Sequence, residues 1–516
     1  MKNLPVIDIA VIVIYLLAML VVGVWFSRKN KSSEQFTTAS GLIPGWAVGL
    51  SLYATFLSSN TFLGVPGKAF GSNWNALVFS LSMPLAAWAA VKYFVPFYRT
   101  IGGVSAYTHL EHRFGSWART YAVVCFLLTQ LARMGSIFFG IALSLQALTG
   151  FDMTTIMVVT GICIVIYTVM GGMEAVIWTE VVQGVLLTFG GLLVLYLVVT
   201  HIDGGISSMV NIGLADGKFS LGSFDMDFVG ASFWVILLYG FFINLNNFGM
   251  DQNYVQRYHT ATSAKEAAKS VWLCVKIYIP ISLLFFVIGS ALYAYYEQNP
   301  ALTETIRLQA AAERLPAGAA QAEINSLAGA LQAEDYGDKV MPHFMVNKLP
   351  VGLLGLVISA IMAAAMSTIS SGMNASATVF TEDIYKRYIR PDSTNKQSLR
   401  MLFIATGVFG MLGMVAGVGM IGVQSILDVW WELSGIFAGG MLGLFLLGLI
   451  SKKAGNSDAI IAVIAGVLAI LWMTFSYLIP EQYDYLRYPL HANMIIVVGT
   501  LVISLVGSGL AKMRRV

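Results

Sequence analysis

Residues 45–66 read GWAVGLSLYATFLSSNTFLGVP, an apolar stretch of membrane-spanning length with polar residues near its centre. The interruption, residues 57–61, holds two serines, an asparagine and a threonine, and Pro66 follows closely. Backbone that leaves the helix inside a bilayer needs hydrogen-bond partners, so unwound segments survive only beside a cavity or a buried ligand. This stretch therefore predicts a broken membrane helix that lines a binding site.

A second interruption lies in residues 232–255, where Asn244, Asn246 and Asn247 break another apolar stretch. The two interrupted stretches are the second and the seventh candidate spans along the chain. An inverted repeat of five plus five helices places its two broken helices at this separation, with cations and substrate bound between them. The alternative is ordinary packing of Ser and Asn between helices. Two interruptions at matched positions favour the broken helices.

The composition indicates a membrane environment for the whole chain. Of 516 residues, 57% are hydrophobic and 11% are charged, whereas a soluble domain carries about 25% charged residues. The net charge of +3 is too small to indicate an anionic partner. These values exclude a soluble enzyme, a single-anchor receptor and a nucleic-acid binder. The three cysteines and six histidines show no metal-site or catalytic spacing, so we expect no enzyme activity, and no obligate protein partner is evident.

Hydropathy windows of about 19 residues predict thirteen membrane spans in a single transmembrane domain. The spans are 5–26, 45–66, 74–98, 120–148, 153–170, 175–199, 232–255, 271–295, 349–375, 398–422, 425–450, 456–479 and 489–511. Of the 30 Lys and Arg residues, 19 fall in one set of alternate loops and 8 in the other. This bias predicts a multi-pass protein of the cell (inner) membrane, with the N-terminus outside and the C-terminus in the cytoplasm.

The largest segment on the outer side, residues 297–348, is rich in Ala, Gln and Glu. We expect one or two short helices that lie over the membrane surface. The segment acts either as a gate or cap, or as a plain connecting loop.

A third polar cluster is residues 363–372, which read AAAMSTISSG. Ser367, Ser370 and Ser371 are spaced i, i+3 and i+4, so they share one face of a helix, with Thr368 beside them. Hydroxyls in this array, joined by carbonyls of an unwound neighbour, predict the all-oxygen shell that a hard alkali cation prefers. The alternative is a packing seam of small residues, which the alanines also favour.

Ionisable residues inside spans are candidates for function. Arg133 lies at the middle of its span, where its guanidinium suits a substrate carboxylate or else a structural ion pair. Lys276 either reaches toward the same cavity or extends to the membrane surface. Glu180 either completes a second cation shell or pairs with a nearby base. Asp251 and Arg257 flank the end of the seventh span and are predicted to pair with each other.

Three motifs in order resemble recurrent segments of the sodium:solute symporter family. Residues 166–183 (IYTVMGGMEAVIWTEVVQ) resemble its Tyr-x3-Gly-Gly signature, and residues 255–258 (VQRY) and 377–385 (ATVFTEDIY) are similar to two further segments. The resemblance extends over residues 5–455, and within the family the chain looks most like bacterial sialic acid symporters. It implies an all-α, LeuT-like core of ten helices (45–450) with broken first and sixth core helices, one preceding helix (5–26) and two following helices (456–511).

The resemblance also implies sites for sodium. The first would use the carbonyls of Ala54, Leu57 and Ala364 and the hydroxyls of Ser367 and Thr368. The second would use Glu180, Ser370 and Ser371. Sialic acid symporters carry Asp at the position of Glu180, so the second ion depends on a longer carboxylate here.

The substrate residues implied by the resemblance come from two groups of relatives. Arg133 matches the arginine that holds the sialic acid carboxylate, and Ser58 and Thr61 match hydroxyls that line the substrate. Asn244 and Lys276 match positions that line the sugar in galactose symporters. Two further positions, Phe56 and Ser80, differ from the hydroxyl residue and the Gln of the sialic acid proteins, and Ser80 is retained in the predicted substrate site.

We therefore expect a sodium-coupled symporter that imports a small organic solute by alternating access through the lipid bilayer. Sialic acid (N-acetylneuraminate) is the preferred substrate because of Arg133. Another sugar acid, a monocarboxylate or a neutral sugar is the alternative. A channel and a membrane-embedded enzyme are the alternatives from other classes, and the histidines, scattered in or near loops, offer no cluster for the enzyme.

Overall fold

The interrupted apolar stretches become helix pairs in an otherwise helical protein. The computed structural model describes residues 4–28, 31–316, 318–422 and 426–514. Within these residues the only bridge of β type joins Ile43 to Ala261. The first ten α-helices are α1 (Val6–Ser27), α2 (Ser33–Thr38), α3 (Gly45–Phe56), α4 (Ser59–Gly71), α5 (Leu77–Leu81), α6 (Met83–Ala89), α7 (Val95–Ile101), α8 (Thr108–Phe114), α9 (Ser116–Thr149) and α10 (Met153–Thr200).

The remaining helices include both membrane spans and surface segments. They are α11 (Gly205–Ala215), α12 (Phe233–Gly249), α13 (Gln252–Thr260), α14 (Ala264–Glu297), α15 (Pro300–Arg314), α16 (Gln321–Ala330), α17 (Ala333–Lys348), α18 (Leu353–Val379), α19 (Asn395–Gly419), α20 (Ile426–Ile450), α21 (Asn456–Phe475) and α22 (Met494–Met513). Short 3-10 turns lie at Ala39–Gly41, Trp74–Ala76, Ser476–Leu478 and Glu481–Leu486, and π-helical turns at Ala90–Phe94 and Phe380–Ile389.

The number of spans depends on how bent helices are counted. Across the described ranges, ten helical stretches are long and apolar enough to cross a bilayer, or twelve when each of two bent pairs counts as one span. Helix α10 has 48 residues, about twice the length that a bilayer requires. Gly172 interrupts it with a φ of 59°, a conformation that glycine adopts at little cost. Thirteen spans stays a prediction, and it requires α10 to cross the membrane twice, once on each side of Gly172.

The first break lies where the sequence predicts it. Helix α3 ends at Phe56, Leu57 and Ser58 are extended, and α4 begins at Ser59 with a bend of 52° between the two axes. The side chain of Thr61 accepts a hydrogen bond from the Ser58 backbone N–H at 3.4 Å. This capping interaction satisfies one of the donors that a new helix leaves open.

The second break lies later in the chain than predicted. Residues 244–249 are helical, and the break falls at Met250 and Asp251, between α12 and α13, with a bend of 46°. The Asp251 carboxylate accepts a hydrogen bond from the Asn253 backbone N–H at 2.8 Å. Asp251 is therefore the N-cap of α13, because a short acidic side chain satisfies an open N–H at a helix start.

The segment predicted to lie on the outer side forms three helices, α15, α16 and α17, rather than one or two. We call the membrane face that carries them the outer face and the opposite one the inner face, following the predicted orientation. Helix α17 packs closely on α4, where a Cβ at Gly337 would lie 2.4 Å from the Gly67 carbonyl oxygen. The outer segment is thus attached directly to the broken helix.

Helix α18 lies at the centre of the molecule and packs on α1, α3, α4, α9, α10 and α19. Nearly all of its side chains are buried. Its N-terminus is capped by Asp8 of α1, whose carboxylate accepts hydrogen bonds from the backbone N–H groups of Gly352 (2.8 Å) and Gly355 (2.6 Å). The hydroxyl-rich segment is in this way held deep inside the protein, opposite the first break.

Candidate functional site

The break between α3 and α4 and the hydroxyls of α18 form an oxygen cluster. The Ser367 hydroxyl lies 3.1 Å from the Ala54 carbonyl oxygen and 3.0 Å from that of Ala364. The Thr368 hydroxyl lies 3.2 Å from the Leu57 carbonyl oxygen and 3.3 Å from that of Ala364. All five groups of the predicted first sodium site therefore meet at one place.

Local structure explains why these oxygens are available. The carbonyls of Ala54 and Leu57 lie at the end of α3. The last carbonyls of a helix lack backbone N–H donors, because no further helical turn follows them. Ala363 and Ala365 are fully buried beside the hydroxyls, and their small side chains allow α18 to approach the break closely. The hydroxyls contribute oxygens on the other side. Unpaired carbonyls and hydroxyls at membrane depth are satisfied by each other or by a cation.

The chemistry of the cluster fits a monovalent hard cation. Its five candidate ligands are uncharged oxygen atoms, and hard cations prefer ligands of this type. Among the described residues, no group of three or more His, Cys, Asp or Glu side chains is placed to hold a metal ion. A neutral oxygen shell supplies little compensation for a divalent charge, so sodium suits it better than calcium or a transition metal.

A cavity adjoins the break on the other side of Ser58. It is lined by Phe56, Ser58, Thr61, Val65, Ala76, Phe79, Ser80, Arg133, Ile137, Ile243, Asn247, Tyr254, Tyr278, Ser282 and Phe286. The cavity has a volume of about 80 Å³ that the centres of water molecules can occupy, which is room for several waters. A sugar-sized solute therefore needs the aromatic walls to move apart.

Arg133 provides the positive charge of this cavity. Its guanidinium donates a hydrogen bond to the Thr55 carbonyl oxygen at 2.8 Å and to the Tyr254 hydroxyl at 3.2 Å. The carboxylate of Asp251 lies 3.9 Å from its Nη1. Arg133 is thus paired with a carboxylate at long range, while it is fixed to the backbone of the broken helix by a short hydrogen bond.

Four of the six predicted substrate residues line the cavity, namely Ser58, Thr61, Ser80 and Arg133. The Ser80 hydroxyl is 2.7 Å from that of Ser282, a lining residue that the sequence did not single out. Serine is common in membrane helices, so this position carried no signal of its own. The side chains of Tyr254 and Tyr278 were also missed, because an aromatic residue in an apolar span resembles core packing.

Two predicted substrate residues lie elsewhere. Asn244 is fully buried and donates hydrogen bonds to the Phe79 carbonyl oxygen (3.3 Å) and the Ser82 hydroxyl (3.2 Å). Asn247, one turn further along α12, lines the cavity instead. Lys276 is exposed on the surface of α14 and is not among the lining residues. Its position agrees with a side chain that extends to the membrane surface.

The predicted second cation residues form an ion-pair cluster. Both carboxylate oxygens of Glu180 accept hydrogen bonds from Arg257 Nη2, at 2.8 and 2.7 Å. The hydroxyls of Ser51 and Ser371 also donate to Glu180. The third predicted residue, Ser370, donates instead to the Ser367 carbonyl oxygen at 3.1 Å. Arg257 therefore pairs with Glu180, and the predicted pair between Asp251 and Arg257 is wrong.

An aromatic group around Phe56 forms part of the cavity wall. The ring of Phe56 lies 4.4 Å from that of Tyr254, 5.5 Å from that of Tyr278 and 5.4 Å from that of Phe248, measured between centroids. Tilted contacts at such distances are favourable for aromatic pairs. Phe56, which stands where the resemblance expects a hydroxyl residue, thus makes this part of the cavity wall aromatic.

Comparison with known proteins assigns this arrangement to a family. A family model described as "Sodium:solute symporter family" matches residues 36–466. The sodium/sialic acid symporter SiaT of Proteus mirabilis (strain HI4320) is 34% identical over 90% of this chain and 89% of its own. The sodium/sialic acid symporter NanT of Aliivibrio fischeri (strain ATCC 700601 / ES114) is 34% identical over 89% of this chain and 86% of its own.

Solved structures show the same fold. A Na+-coupled sialic acid symporter, in a substrate-bound outward-open state, has a TM-score of 0.85 at 31% identity, over 99% of this chain and 98% of that chain. Mhp1, a nucleobase-cation-symport-1 family transporter, has a TM-score of 0.55 at 14% identity, over 94% and 95% of the two chains. These matches confirm the predicted all-α, LeuT-like fold. The chain belongs to the sodium:solute symporter family.

Proposed function

We propose that this protein is a sodium-coupled symporter that carries N-acetylneuraminate, or a closely related sugar acid, across the membrane. The observation that supports it best is the position of Arg133, a guanidinium that lines a cavity next to the neutral oxygen cluster. A planar guanidinium holds a carboxylate by two parallel hydrogen bonds. The relatives named as sodium/sialic acid symporters favour the same class of substrate.

Sodium and substrate are coupled through adjacent residues of the first break. Leu57 offers its carbonyl to the cation cluster, and the next residue, Ser58, lines the cavity with Thr61. Sodium that draws the Leu57 carbonyl toward α18 fixes the direction of Ser58. The ion thus orders the cavity before the substrate enters, so the substrate binds a preorganised site.

The energy for uptake comes from sodium moving down its gradient. One elementary charge that crosses 100 mV supplies about 2.3 kcal/mol. A tenfold difference in sodium concentration supplies about 1.4 kcal/mol. In this proposal the solute is moved without chemical change, so Arg133 and the hydroxyls serve binding only.

The proposed orientation follows the charge bias of the loops. The N-terminus and helices α15 to α17 face the outside of the cell membrane, and the C-terminus faces the cytoplasm. Residues 45–450 form the transporting core, with 5–26 and 456–511 as additional helices. Cysteine labelling of an exposed residue of the outer segment, such as Ser326→Cys, in intact cells by a membrane-impermeant reagent tests this orientation. Labelling only after permeabilisation would reverse it.

Uptake of labelled N-acetylneuraminate into proteoliposomes, with and without an inward sodium gradient, tests the transport itself. We expect concentrative uptake only with the gradient, and equal uptake in both conditions would contradict sodium symport. Competition by an unlabelled sugar acid, a monocarboxylate and a neutral sugar then ranks the alternative substrates. Competition by the neutral sugar as strong as by the sugar acid would contradict carboxylate recognition.

The variant Arg133→Lys tests the role of the guanidinium. Lysine keeps the charge but loses the paired donors, so we expect the KM for the sugar acid to rise about 10- to 150-fold, from the 1.5–3 kcal/mol of a charged hydrogen bond. Arg113→Lys is the matched control, since Arg113 also donates to backbone carbonyls, of Gly448 and Ser451, but lies outside the cavity. An unchanged KM in Arg133→Lys would refute the assignment.

A further inference from the structure

Four side chains of charged type are buried at and beside the central cavity: Arg133, Glu180, Asp251 and Arg257. Their relative exposures are 8%, 0%, 3% and 1% in that order. Two are positive and two are negative, so the group is neutral as a whole. Charges at membrane depth are costly unless they are paired. A further ion that enters this region must therefore bring a counter-charge or displace one of the four.

The Glu180 carboxylate has its acceptor positions filled. Arg257 Nη2 donates to both of its oxygens, and the hydroxyls of Ser51 and Ser371 donate to one each. The Thr55 hydroxyl adds a contact of 3.3 Å to Oε1. An ionised carboxylate offers about four lone-pair sites, and this set uses them. A cation could reach Glu180 only by removing Arg257.

Arg257 is in turn held from several sides. Its Nε donates to the Ser51 hydroxyl at 2.8 Å, and its Nη1 donates to the Asn253 carbonyl oxygen. Nη2 also donates to the Ser371 hydroxyl at 2.6 Å. These contacts tie α13, α3 and α18 around one guanidinium. The guanidinium occupies the position next to Glu180 and Ser371 at which the sequence resemblance expects a second sodium.

We infer that the Arg257 guanidinium replaces a second sodium in this chain, and that one sodium accompanies each substrate molecule. The length of the Glu180 side chain determines this, because the carboxylate extends far enough to meet Arg257 and both serine hydroxyls at once. The inference deepens the proposed function and rests on it for the substrate charge. One sodium and one carboxylate carry no net charge together, so the transport cycle is electroneutral.

The sodium count follows from the gradients at which net flux stops. With a tenfold sodium gradient across proteoliposomes, one sodium per N-acetylneuraminate balances a tenfold substrate gradient, and a potassium–valinomycin potential leaves this point unchanged. Two sodium ions balance a hundredfold gradient, and the point moves about tenfold per 59 mV for one net charge. Flux that stops at the hundredfold gradient would overturn the inference. A tenfold balance that moves with voltage would overturn the electroneutral cycle, because a net charge then crosses with each substrate molecule.

A second measurement counts sodium without any substrate. Sodium stabilises the folded state by mass action. Well above the dissociation constant, the slope of the stabilisation free energy against RT ln[Na+], here called the sodium coefficient, gives the number of ions bound. We expect a sodium coefficient near one for the wild type. A wild-type value near two would overturn the inference. Because the measurement needs no transport, a complete lack of sodium-driven uptake would contradict the proposed function alone.

The variant Glu180→Asp tests the role of side-chain length. Removing one methylene withdraws the carboxylate from Arg257 and Ser371 and leaves space beside the hydroxyls, so we expect the sodium coefficient to rise toward two. Glu111→Asp is the matched control, since Glu111 also pairs with arginines, Arg119 and Arg387, but lies in α8. We expect its coefficient to remain near one. A folded Glu180→Asp variant whose coefficient remains near one would refute side-chain length as the determinant.

Discussion

Replacing Thr368 with valine removes one oxygen from the proposed sodium shell and leaves the shape of the side chain nearly unchanged. The Thr368 hydroxyl lies 3.2 Å from the Leu57 carbonyl oxygen and 3.3 Å from that of Ala364. It is one of five uncharged donors that meet at this place. Because no ionised ligand belongs to the cluster, the remaining four have no strong charge with which to compensate for the loss.

The expected loss of affinity follows from the strength of one such contact. A polar group that contacts a charged partner contributes about 1.5–3 kcal/mol to the binding free energy, which corresponds to a factor of about 10 to 150 in the binding constant. We therefore expect Thr368→Val to raise the half-saturating sodium concentration by about this factor. The substitution also removes the hydroxyl's contacts to two carbonyls, so the stability without sodium falls as well. The affinity is for this reason taken from the sodium dependence and not from a single melting temperature.

The assay is the thermal stability of the purified transporter as a function of sodium concentration, with choline replacing sodium at constant ionic strength. Thr406→Val is the matched control. The Thr406 hydroxyl is fully buried but donates within its own helix, to the Leu402 carbonyl oxygen at 2.7 Å, so we expect wild-type sodium affinity. The reasoning is refuted if Thr368→Val responds to sodium with a half-saturating concentration within twofold of wild type.

Two further predictions concern the outer segment and the inner face. Gly337→Ala places a methyl group against the Gly67 backbone, so we expect the melting temperature to fall, because overpacking lowers the free energy of unfolding by about 1–3 kcal/mol. The control Gly329→Ala, with open space around it, should be neutral or stabilising. Equal shifts in melting temperature for the two variants would refute the contact. Partial burial of the Glu111 carboxylate acts to raise its pKa, but hydrogen bonds from Arg119 and a second arginine together outweigh this effect and lower the pKa. The stability that Glu111 contributes is present above its unfolded-state pKa and is lost as pH falls through the lower folded-state pKa. In a pH series of melting curves, acid should therefore lower the melting temperature of wild type more than that of Glu111→Gln. Parallel changes in the two proteins would contradict this.

The first break was predictable because its signal is local, whereas the cation cluster joins residues more than 300 positions apart, and its ligand set came from the family resemblance. Polar residues at 57–61 interrupt an apolar stretch, and unwound backbone at membrane depth survives only beside a cavity or a buried ligand. The spacing i, i+3 and i+4 predicted that Ser367, Ser370 and Ser371 share one face of α18, with Thr368 beside them. Ser370 shows the limit of this reasoning. It has the right spacing, yet its rotamer directs the hydroxyl to the Ser367 carbonyl oxygen.

The second break was placed several residues too early. The asparagines at 244–247 suggested an unwound backbone, whereas they remain helical and the Asn246 carbonyl accepts from the N–H groups of Met250 and Asp251, at 2.7 and 3.0 Å. A signal for the true position was present. Asp251 follows Gly249 by two residues, and Gly near a helix end with Asp at the next helix start is a common pair of boundary signals.

Which acid pairs with which base was beyond the sequence, because the partners come from different helices. Asp251 caps α13 with one carboxylate oxygen and turns the other toward Arg133, while Arg257 reaches Glu180 on α10. The two pairs differ in a way that bears on transport. Arg257 and Glu180 meet at 2.7 Å, but Arg133 and Asp251 are 3.9 Å apart, and electrostatic attraction weakens with distance. In the proposed function, a substrate carboxylate therefore competes with the weaker pair, Arg133 and Asp251, while the stronger pair remains intact.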